Sequence, residues 1–304
     1  MGDRRTGLAV NAPAVADPEQ NVRVNITQSF VLTSLAVVFV AGIGSGVVIH
    51  RLHLRRAGVT DPNEPLAGDG MGGSVGFIGG AAAFLLSVLM LASLDHYNGT
   101  KTVVADEALA YSAAFDSTDA LNPDDQAKMR RDLVCLMRSV ATYSWAASAA
   151  EDLTGSDNTH AWRRRASADA STVETKTKAQ QNSLSTLQSE LINASKSGQQ
   201  RLLAAEADLP LALWLLVFLS IFALTSILTS LLLAHPSRIL AVTALSTVLI
   251  LSTAMVWTLT MFDEPFYQGD GVYIAPRAIN ATMLRLEGTY PGAAWGPCEL
   301  LAEP

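Results

Sequence analysis

The sequence predicts an all-α polytopic membrane protein with four transmembrane helices and a helical domain between the second and third spans. Of the 304 residues 49% are hydrophobic and only 16% are charged, whereas soluble domains average about 25% charged residues. Four apolar runs reach the length of about 20 residues that a helix needs to cross the hydrocarbon layer. The long polar segment 96–209 is rich in helix formers and lacks the alternation typical of strands. Together these observations favour helices throughout.

The apolar runs divide the chain into nine segments. No small-residue cleavage site follows the first run, so we interpret it as a retained anchor. The break between the last two runs is only four residues long, which forces an antiparallel hairpin. The predicted segments are a polar N-terminal tail (1–27), span 1 (28–50), a short cytoplasmic loop (51–73), span 2 (74–95), an extracytoplasmic helical domain (96–209), span 3 (210–234), a cytoplasmic turn (235–238), span 4 (239–262) and an extracytoplasmic C-terminal tail (263–304).

The charges near the membrane indicate an orientation. The two short loops carry Arg51, Arg55, Arg56 and Arg238, and the opposite ends of the spans carry Asp95, Glu206, Asp208, Asp263 and Glu264 beside Arg23, Lys101 and Arg201. Lys and Arg in short loops favour the cytoplasmic side. We therefore expect both termini and the helical domain to face outward from a plasma membrane, with the composition typical of a bacterium.

Several helices of the polar segment can be placed. Asn122 and Pro123, followed by two acids, are a typical helix start, and Gly155 marks a break. The amphipathic stripe that follows Pro123 contains Met129, Leu133, Leu136, Met137, Val140 and Tyr143. A thin stripe of Leu184, Leu187, Leu191, Leu202 and Leu203 predicts a last helix that runs into span 3. In the tail, Pro276 is expected to begin a short helix that ends near Leu286 and buries Ile279 and Met283.

Three motifs, in this order, resemble those of the bacterial and plant bestrophin-like membrane proteins of unknown function. They are an Asp-x-Tyr after span 2, a Leu-Leu-x-Ala before span 3, and an Asp-x-Pro-Phe-x-x-Gly…Pro pattern after span 4. The matching residues are Asp95, Tyr97, Leu202, Leu203, Ala205, Asp263, Pro265, Phe266, Gly269 and Pro276. The resemblance covers about residues 30–285. It implies a four-span helical fold and a remote kinship to pentameric anion channels, although that channel family's neck residues are not visible here.

Glycines recur at four-residue spacing in the first two spans. They are Gly42 and Gly46 in span 1, and Gly72, Gly76 and Gly80 leading into span 2. Small residues at this spacing let membrane helices approach closely. The pattern predicts packing of span 1 on span 2, or else an oligomer interface.

Two groups of polar residues are candidates for an ion path. The first is a hydroxyl face on span 4, formed by Thr243, Ser246, Thr253 and Thr260. These side chains could line a hydrated pore, hydrogen-bond to a neighbouring helix, or bond to carbonyls of their own helix. The second is an acidic rim of Asp95, Asp263 and Glu264, with Glu206 and Asp208. Such a rim would attract cations and repel chloride, or it is a solvated surface that obeys the charge rule. Asp95 or Tyr97 could equally bond to the turn that follows span 4.

The two cysteines, Cys135 and Cys298, would share the outer compartment, where disulfides persist. We predict a bridge that ties the tail to the helical domain, the alternative being two unpaired thiols.

The sequence also excludes some functions. It contains no HExxH motif, nucleophile elbow or phosphate loop, no metal-ligand cluster, and a net charge of −7 that argues against nucleic-acid binding. No enzyme activity or cofactor is therefore expected. Two hypotheses remain: an oligomeric, channel-like protein with a cation-tolerant acidic rim, or a non-conducting accessory subunit whose helical domain docks a partner in a larger membrane complex. Membrane lipid and further copies of the chain are the expected partners, and a sensor is a weaker third reading.

Overall fold

The computed structural model describes residues 18–57, 69–205, 209–233, 238–263, 265–266, 273–290, 295–296 and 298. Within these ranges no strand occurs, which agrees with the predicted all-α class. The α-helices are α1 (Pro18–Ala57), α2 (Asp69–Ser117), α3 (Pro123–Ser139), α4 (Trp145–Ala149), α5 (Asp157–Thr172), α6 (Lys178–Ala205), α7 (Leu211–Leu232), α8 (Arg238–Asp263) and α9 (Arg277–Thr289). A 3-10 turn (Thr118–Ala120) follows α2, and a π-helical turn (Val140–Ser144) joins α3 to α4.

Four helices contain stretches that are long and apolar enough to cross a membrane. The stretches are Val31–Leu52 in α1, Gly79–Ala120 in and just beyond α2, Ala212–Leu232 in α7 and Val242–Asp263 in α8. The 49 residues of α2 span about 74 Å at 1.5 Å per residue, more than twice the hydrocarbon thickness of about 30 Å. The part of α2 that exceeds this thickness therefore extends out of the hydrocarbon layer.

The buried apolar residues form two separate cores. The smaller core joins α1, α2, α7 and α8 through residues such as Leu35, Leu89 and Val217. The larger core joins the second half of α2 to α3, α4, α5, α6 and α9, and we call this unit the helical domain. Because α2 belongs to both cores, it connects the candidate spans rigidly to the helical domain.

The glycines of α1 lie against α7, not against α2. A methyl group at Gly46 would lie 2.5 Å from the Ser226 carbonyl oxygen, and one at Gly42 would lie 3.0 Å from Thr225 Cβ. The Ser45 and Ser226 hydroxyls are 2.6 Å apart and hydrogen-bond across the same contact. The predicted packing of span 1 on span 2 is therefore wrong, because the glycines of α1 contact α7. Close approach needs small residues in α1 but does not need glycines in the partner helix as well.

This contact gives a matched pair of substitutions in one helix. Gly46→Ala would bring the new methyl into the α7 backbone, so we expect a loss of about 1–3 kcal/mol in the free energy of unfolding, typical of overpacking. Gly44 has open space at the same atom, and Gly44→Ala should leave stability unchanged or raise it by up to about 1 kcal/mol, because alanine favours the helix. Denaturant titration in detergent measures both. Equal stabilities for the two variants would contradict the packing of α1 on α7.

Two of the predicted glycines of α2, Gly76 and Gly80, are exposed. A methyl group at Gly76 or Gly80 would meet no atom within 4 Å, and the surroundings of Gly72 lie outside the described residues. These two glycines therefore do not pack helices within one chain.

The predicted helix starts agree with the structure, whereas parts of the predicted stripes do not. Helix α3 begins at Pro123 after Asn122, and α9 begins after Pro276 and buries Ile279 and Leu286. Tyr143 is 45% exposed because the π-helical turn shifts the register after Val140. Leu203 is 61% exposed. The buried stripe of α6 instead consists of Leu187, Leu191, Ala194, Gly198, Arg201 and Ala205.

The cysteines form a disulfide, as predicted. Cys135 of α3 and Cys298 of the tail are bonded, with their Cα atoms 5.3 Å apart. The rings of Tyr290 and Trp295 pack on Phe115 of α2, with centroids 5.6 and 5.7 Å away. The tail is therefore part of the core of the helical domain.

Candidate functional site

A buried ion pair joins the two longest helices of the helical domain. Arg201 of α6 and Glu107 of α2 are both fully buried, and Arg201 Nε donates to Glu107 Oε2 at 2.9 Å. Removing two charges from water costs several kcal/mol per ion unless further hydrogen bonds satisfy them. The rest of the Arg201 guanidinium group shows how that cost is offset.

The π-helical turn and α4 supply those further partners. Arg201 Nη2 donates to Ser144 Oγ at 2.9 Å, and Nη1 donates to the Ser144 carbonyl oxygen at 3.3 Å and to Ser148 Oγ. The guanidinium carbon also lies 4.6 Å from the centroid of the Trp145 ring, a cation–π contact. Single π-helical turns are frequent at functional sites, and this one exists where α3 continues into α4 against Arg201.

The sequence of α6 explains how Arg201 reaches this position. Arg201 falls on the three- and four-residue spacing of the buried stripe, one turn after Gly198. A methyl group at Gly198 would lie 2.9 Å from Glu107 Oε1 and 3.3 Å from Arg163 Nη2. A glycine at this position therefore lets α6 approach the Glu107 carboxylate, with Arg163 of α5 near the same group.

A chain of contacts connects the ion pair to the end of α8. The Trp145 indole N–H donates to the Ile274 carbonyl oxygen at 3.0 Å, and its ring lies 5.7 Å from the Phe266 ring. The Ile274 N–H in turn donates to the Pro265 carbonyl oxygen at 2.7 Å. Through Trp145, Arg201 is thus linked to the segment that follows α8.

The same region holds α2, α7 and α8 together. The Leu209 N–H, just before α7, donates to Asp263 Oδ1 at 2.9 Å. Tyr97 of α2 packs its ring 5.5 Å from that of Phe262. We call Tyr97, Phe262, Asp263, Pro265 and Phe266 the junction. Four of these five residues belong to the first and third bestrophin-like motifs of the sequence, so these two motifs meet in space.

The junction and the ion pair form one connected set of contacts. The junction joins the middle of α2, the start of α7 and the end of α8, and Trp145 connects it to the Glu107–Arg201 pair. No cluster of three or more metal-ligating side chains occurs among the residues that the structure describes. Direct contacts therefore connect the ion pair to the segment that follows α8.

The predicted rim acids have different surroundings. Asp95 is exposed and makes no hydrogen bond or ion pair with any described residue, whereas Asp263 is half-buried and bonded to Leu209. Glu264 and Gly269 lie outside the described residues, as do Glu206 and Asp208. Neither Asp95 nor Tyr97 makes a hydrogen bond to the described residues of the turn after span 4; Tyr97 instead packs its ring on Phe262, within α8.

The predicted hydroxyl face of α8 is divided between two surroundings. Thr243 and Ser246 are exposed, while Thr253 and Thr260 are half-buried and line a narrow cleft against α1. The hydroxyls of Thr243, Thr253 and Thr260 donate to Ile239, Leu249 and Trp257 carbonyl oxygens of their own helix. This is the alternative that the sequence left open for these three residues.

Glu107 and Arg201 were not among the predicted sites, although a signal for each was present. Arg201 interrupts an otherwise apolar or small stripe, and Glu107 lies at three- and four-residue spacing from buried Val104 and Tyr111. A charge on an apolar stripe indicates a buried ion pair, because charged residues are rarely buried without a partner.

The geometry defines a four-span helical membrane protein with a tightly joined helical domain. The family model of the bestrophin-like domain matches residues 47–272. The chain therefore belongs to the bestrophin-like family. This result confirms the resemblance that the sequence motifs indicated.

Solved structures show the same fold at low sequence identity. Two variants of a bacterial bestrophin homologue from Klebsiella pneumoniae match with TM-scores of 0.62 and 0.61 at 13% and 14% identity. The first match covers 85% of this chain and 98% of the other, and the second covers 84% and 97%. Another structure of the Klebsiella homologue, determined by zinc-based phasing, matches with a TM-score of 0.56 at 12% identity over 86% of this chain and 99% of the other. No curated protein sequence matches this chain.

Proposed function

We propose that this protein is an oligomeric, channel-like membrane protein rather than an enzyme, and that ions pass along α8 copies arranged around a common axis. The observation that carries the proposal is the uncovered face of α8. Thr243, Ser246 and Thr247 are exposed together, at helical spacing, beside Ile250. The hydroxyls of Thr243 and Thr247 donate to carbonyl oxygens of α8, and their oxygen lone pairs can still accept hydrogen bonds from water or contact a cation on the exposed face.

Two glycines support the oligomeric part of the proposal. Gly76 and Gly80 of α2 present open backbone at four-residue spacing. Since the chain itself does not use them for packing, a neighbouring copy could approach α2 closely there. Family membership adds to this support.

The acidic rim gives the path its proposed ion preference. Asp95 is exposed at the end of the predicted second span, and copies around an axis would form a ring of carboxylates. Such a ring concentrates cations and repels anions. Asp263 contributes less, because one of its oxygens already accepts the Leu209 N–H, and Glu264 completes the proposed rim.

The orientation remains the one expected from the loop charges. A disulfide between Cys135 and Cys298 persists in an oxidising compartment and rarely in the cytoplasm. It therefore supports a helical domain that faces outward, with the short loops in the cytoplasm of a plasma membrane.

The accessory-subunit alternative has its own support in the helical domain. Leu109 of α2 and Ile192 and Leu203 of α6 are each more than 60% exposed. A docking face on α2 and α6 would cover these three side chains, because contiguous exposed apolar surface marks protein contacts. In this alternative the helices of the membrane only anchor a docking domain.

Oligomeric state and flux together test the proposal. The protein is purified in mild detergent, and its mass is measured by multi-angle light scattering with the detergent contribution removed. We expect a closed, symmetric oligomer whose reconstitution into vesicles allows cation flux. A stable monomer, or an oligomer without flux, would overturn the channel-like function and favour the accessory role.

The rim is tested by matched charge removals. Asp95→Asn should lower cation flux by at least about threefold, because an acidic ring raises the local cation concentration. Asp124→Asn removes the same charge from an exposed position on α3 and should leave flux unchanged. Equal fluxes for the two variants would contradict a rim at Asp95.

A further inference from the structure

A second region of the helical domain contains a cavity that the membrane path does not use. The cavity has a volume of about 550 Å³ and opens between α3, α5 and the C-terminal tail. Sites for small molecules in proteins typically enclose about 300–1,000 Å³. The charged and aromatic side chains in its wall are Lys128, Arg130, Arg131, Arg165, Asp132, Tyr290 and Trp295.

Three of the four cations are already paired with carboxylates. Lys128 Nζ lies 2.8 Å from Asp169 Oδ1, and Arg165 Nε lies 3.2 Å from Asp132 Oδ1. The third pair is formed by Arg130 with Asp119. These pairs leave little positive charge at their own positions.

Arg130 is also fixed in place by aromatic rings. Its guanidinium carbon lies 5.0 Å from the Phe115 centroid and 4.4 Å from the Tyr290 centroid. It donates to Thr118 Oγ1 at 3.0 Å and to the Tyr290 hydroxyl at 3.2 Å. Arg130 therefore forms a rigid part of the wall and is not free to turn toward a ligand.

Arg131 is the remaining cation. It is exposed and has no carboxylate partner among the residues that the structure describes. Its Nε lies beside Gly296 of the tail, where a methyl group would be 3.6 Å away. Gly296 has a φ of +66°, a conformation that glycine adopts without strain and that brings the tail past Arg131. The cavity thus presents one uncompensated positive charge between α3 and the tail.

Asp132 adds a group that can hold a proton. Its side chain is buried, and neither carboxylate oxygen has a hydrogen-bond partner within the described part of the chain. Burial first, and then the neighbouring Asp169, raise the pKa of Asp132 to about 7, although Arg165 and Lys128 act in the opposite direction. Asp132 is fully buried and would not contact a ligand; it is ionised and compensates Arg165 above that pKa, where Arg131 is the one uncompensated cation.

We propose that this cavity binds a singly charged organic carboxylate with a flat apolar group, held by Arg131 at the carboxylate and by Tyr290 and Trp295 at the flat group. A guanidinium group recognises a carboxylate through two parallel hydrogen bonds, and aromatic rings stack on planar groups. One uncompensated cation matches one negative charge. Inorganic phosphate would fill only a small part of the volume and would leave both rings without contact.

The binding of benzoate to the full-length protein in detergent tests the proposal by isothermal titration calorimetry. We expect saturable benzoate binding and no binding of benzamide, which has the same shape and no charge. Arg131→Gln should weaken benzoate binding by about tenfold or more, the loss expected for one charge-assisted hydrogen bond of 1.5–3 kcal/mol.

Two further titrations make the test selective. Arg164→Gln removes an exposed cation from α5 that does not line the cavity and should leave benzoate affinity unchanged. Titration with inorganic phosphate should give no saturable heat. Absence of benzoate binding, equal binding of benzamide, phosphate binding in place of benzoate, or equal losses in the two arginine variants would each overturn the proposal.

Discussion

Replacing Arg201 by alanine is expected to lower the free energy of unfolding by about 3–5 kcal/mol, because the substitution leaves the Glu107 carboxylate buried without its partner. Both side chains are fully buried, so water cannot compensate for the lost charge. The substitution also removes the bonds to Ser144 and Ser148 that hold the π-helical turn. Denaturant titration of the purified protein in detergent measures the loss.

A double substitution separates the charge effect from simple loss of packing. Glu107→Gln combined with Arg201→Met removes both charges and retains most of the volume, and such replacements are often nearly neutral. We expect the double variant to regain a large part of the stability that Arg201→Ala loses. Arg164→Ala, at an exposed position of α5, should stay within about 0.5 kcal/mol of the original protein. A loss below about 1 kcal/mol for Arg201→Ala would show that the pair is not buried as described.

The position of this ion pair gives it more than a local role. Trp145 contacts Arg201 on one side and the Phe266 ring and Ile274 carbonyl on the other. Phe266 and Ile274 lie in the segment that follows α8, and the exposed face of α8 is the proposed ion path. Trp145 therefore provides one packed connection between the helical domain and the proposed ion path. Helix α2, which runs through both cores, provides a second.

The elements of this fold depend mainly on local patterns, which is why sequence reasoning predicted them. Each of the four apolar runs is long enough to identify a span without any partner, and the Asn122-Pro123 start is defined by four consecutive residues. The disulfide was predictable in the same way, because the chain holds only two cysteines. Patterns of this kind need no knowledge of which helix lies beside which.

The candidate site depends instead on pairings between distant residues. Gly42 and Gly46 indicate a close approach of two helices but do not identify α7 as the partner. Glu107 is 94 residues from Arg201, so no local pattern connects them. The π-helical turn has no signature in the sequence, so the register after Val140 was predicted incorrectly. Threonines in membrane helices look polar in sequence, yet Thr243, Thr253 and Thr260 satisfy their hydroxyls within α8.

Loss of the disulfide should produce an effect of similar size through the unfolded state. Cys135 and Cys298 are 163 residues apart, and closing a loop of that length restricts the unfolded chain by up to about 4–5 kcal/mol in the entropy model. We expect the reductant to lower the unfolding temperature of the original protein and to leave that of a Cys298→Ser variant unchanged. Thermal unfolding in detergent, with and without reductant, compares the two.

Reducing the disulfide of the original protein is more informative than the Cys298→Ser substitution, because the reductant breaks the bond without changing the volume of either side chain. Cys298→Ser lies in the tail and is only half-buried, so it creates less of a cavity than a substitution of the fully buried Cys135 would. If the reductant lowered the unfolding temperature of both proteins equally, the effect would not come from this bond. A selective effect would show that the bond holds the tail, with Trp295 against Phe115, as a permanent wall of the helical domain. It would also place that domain in an oxidising compartment, since such a bond is maintained only there.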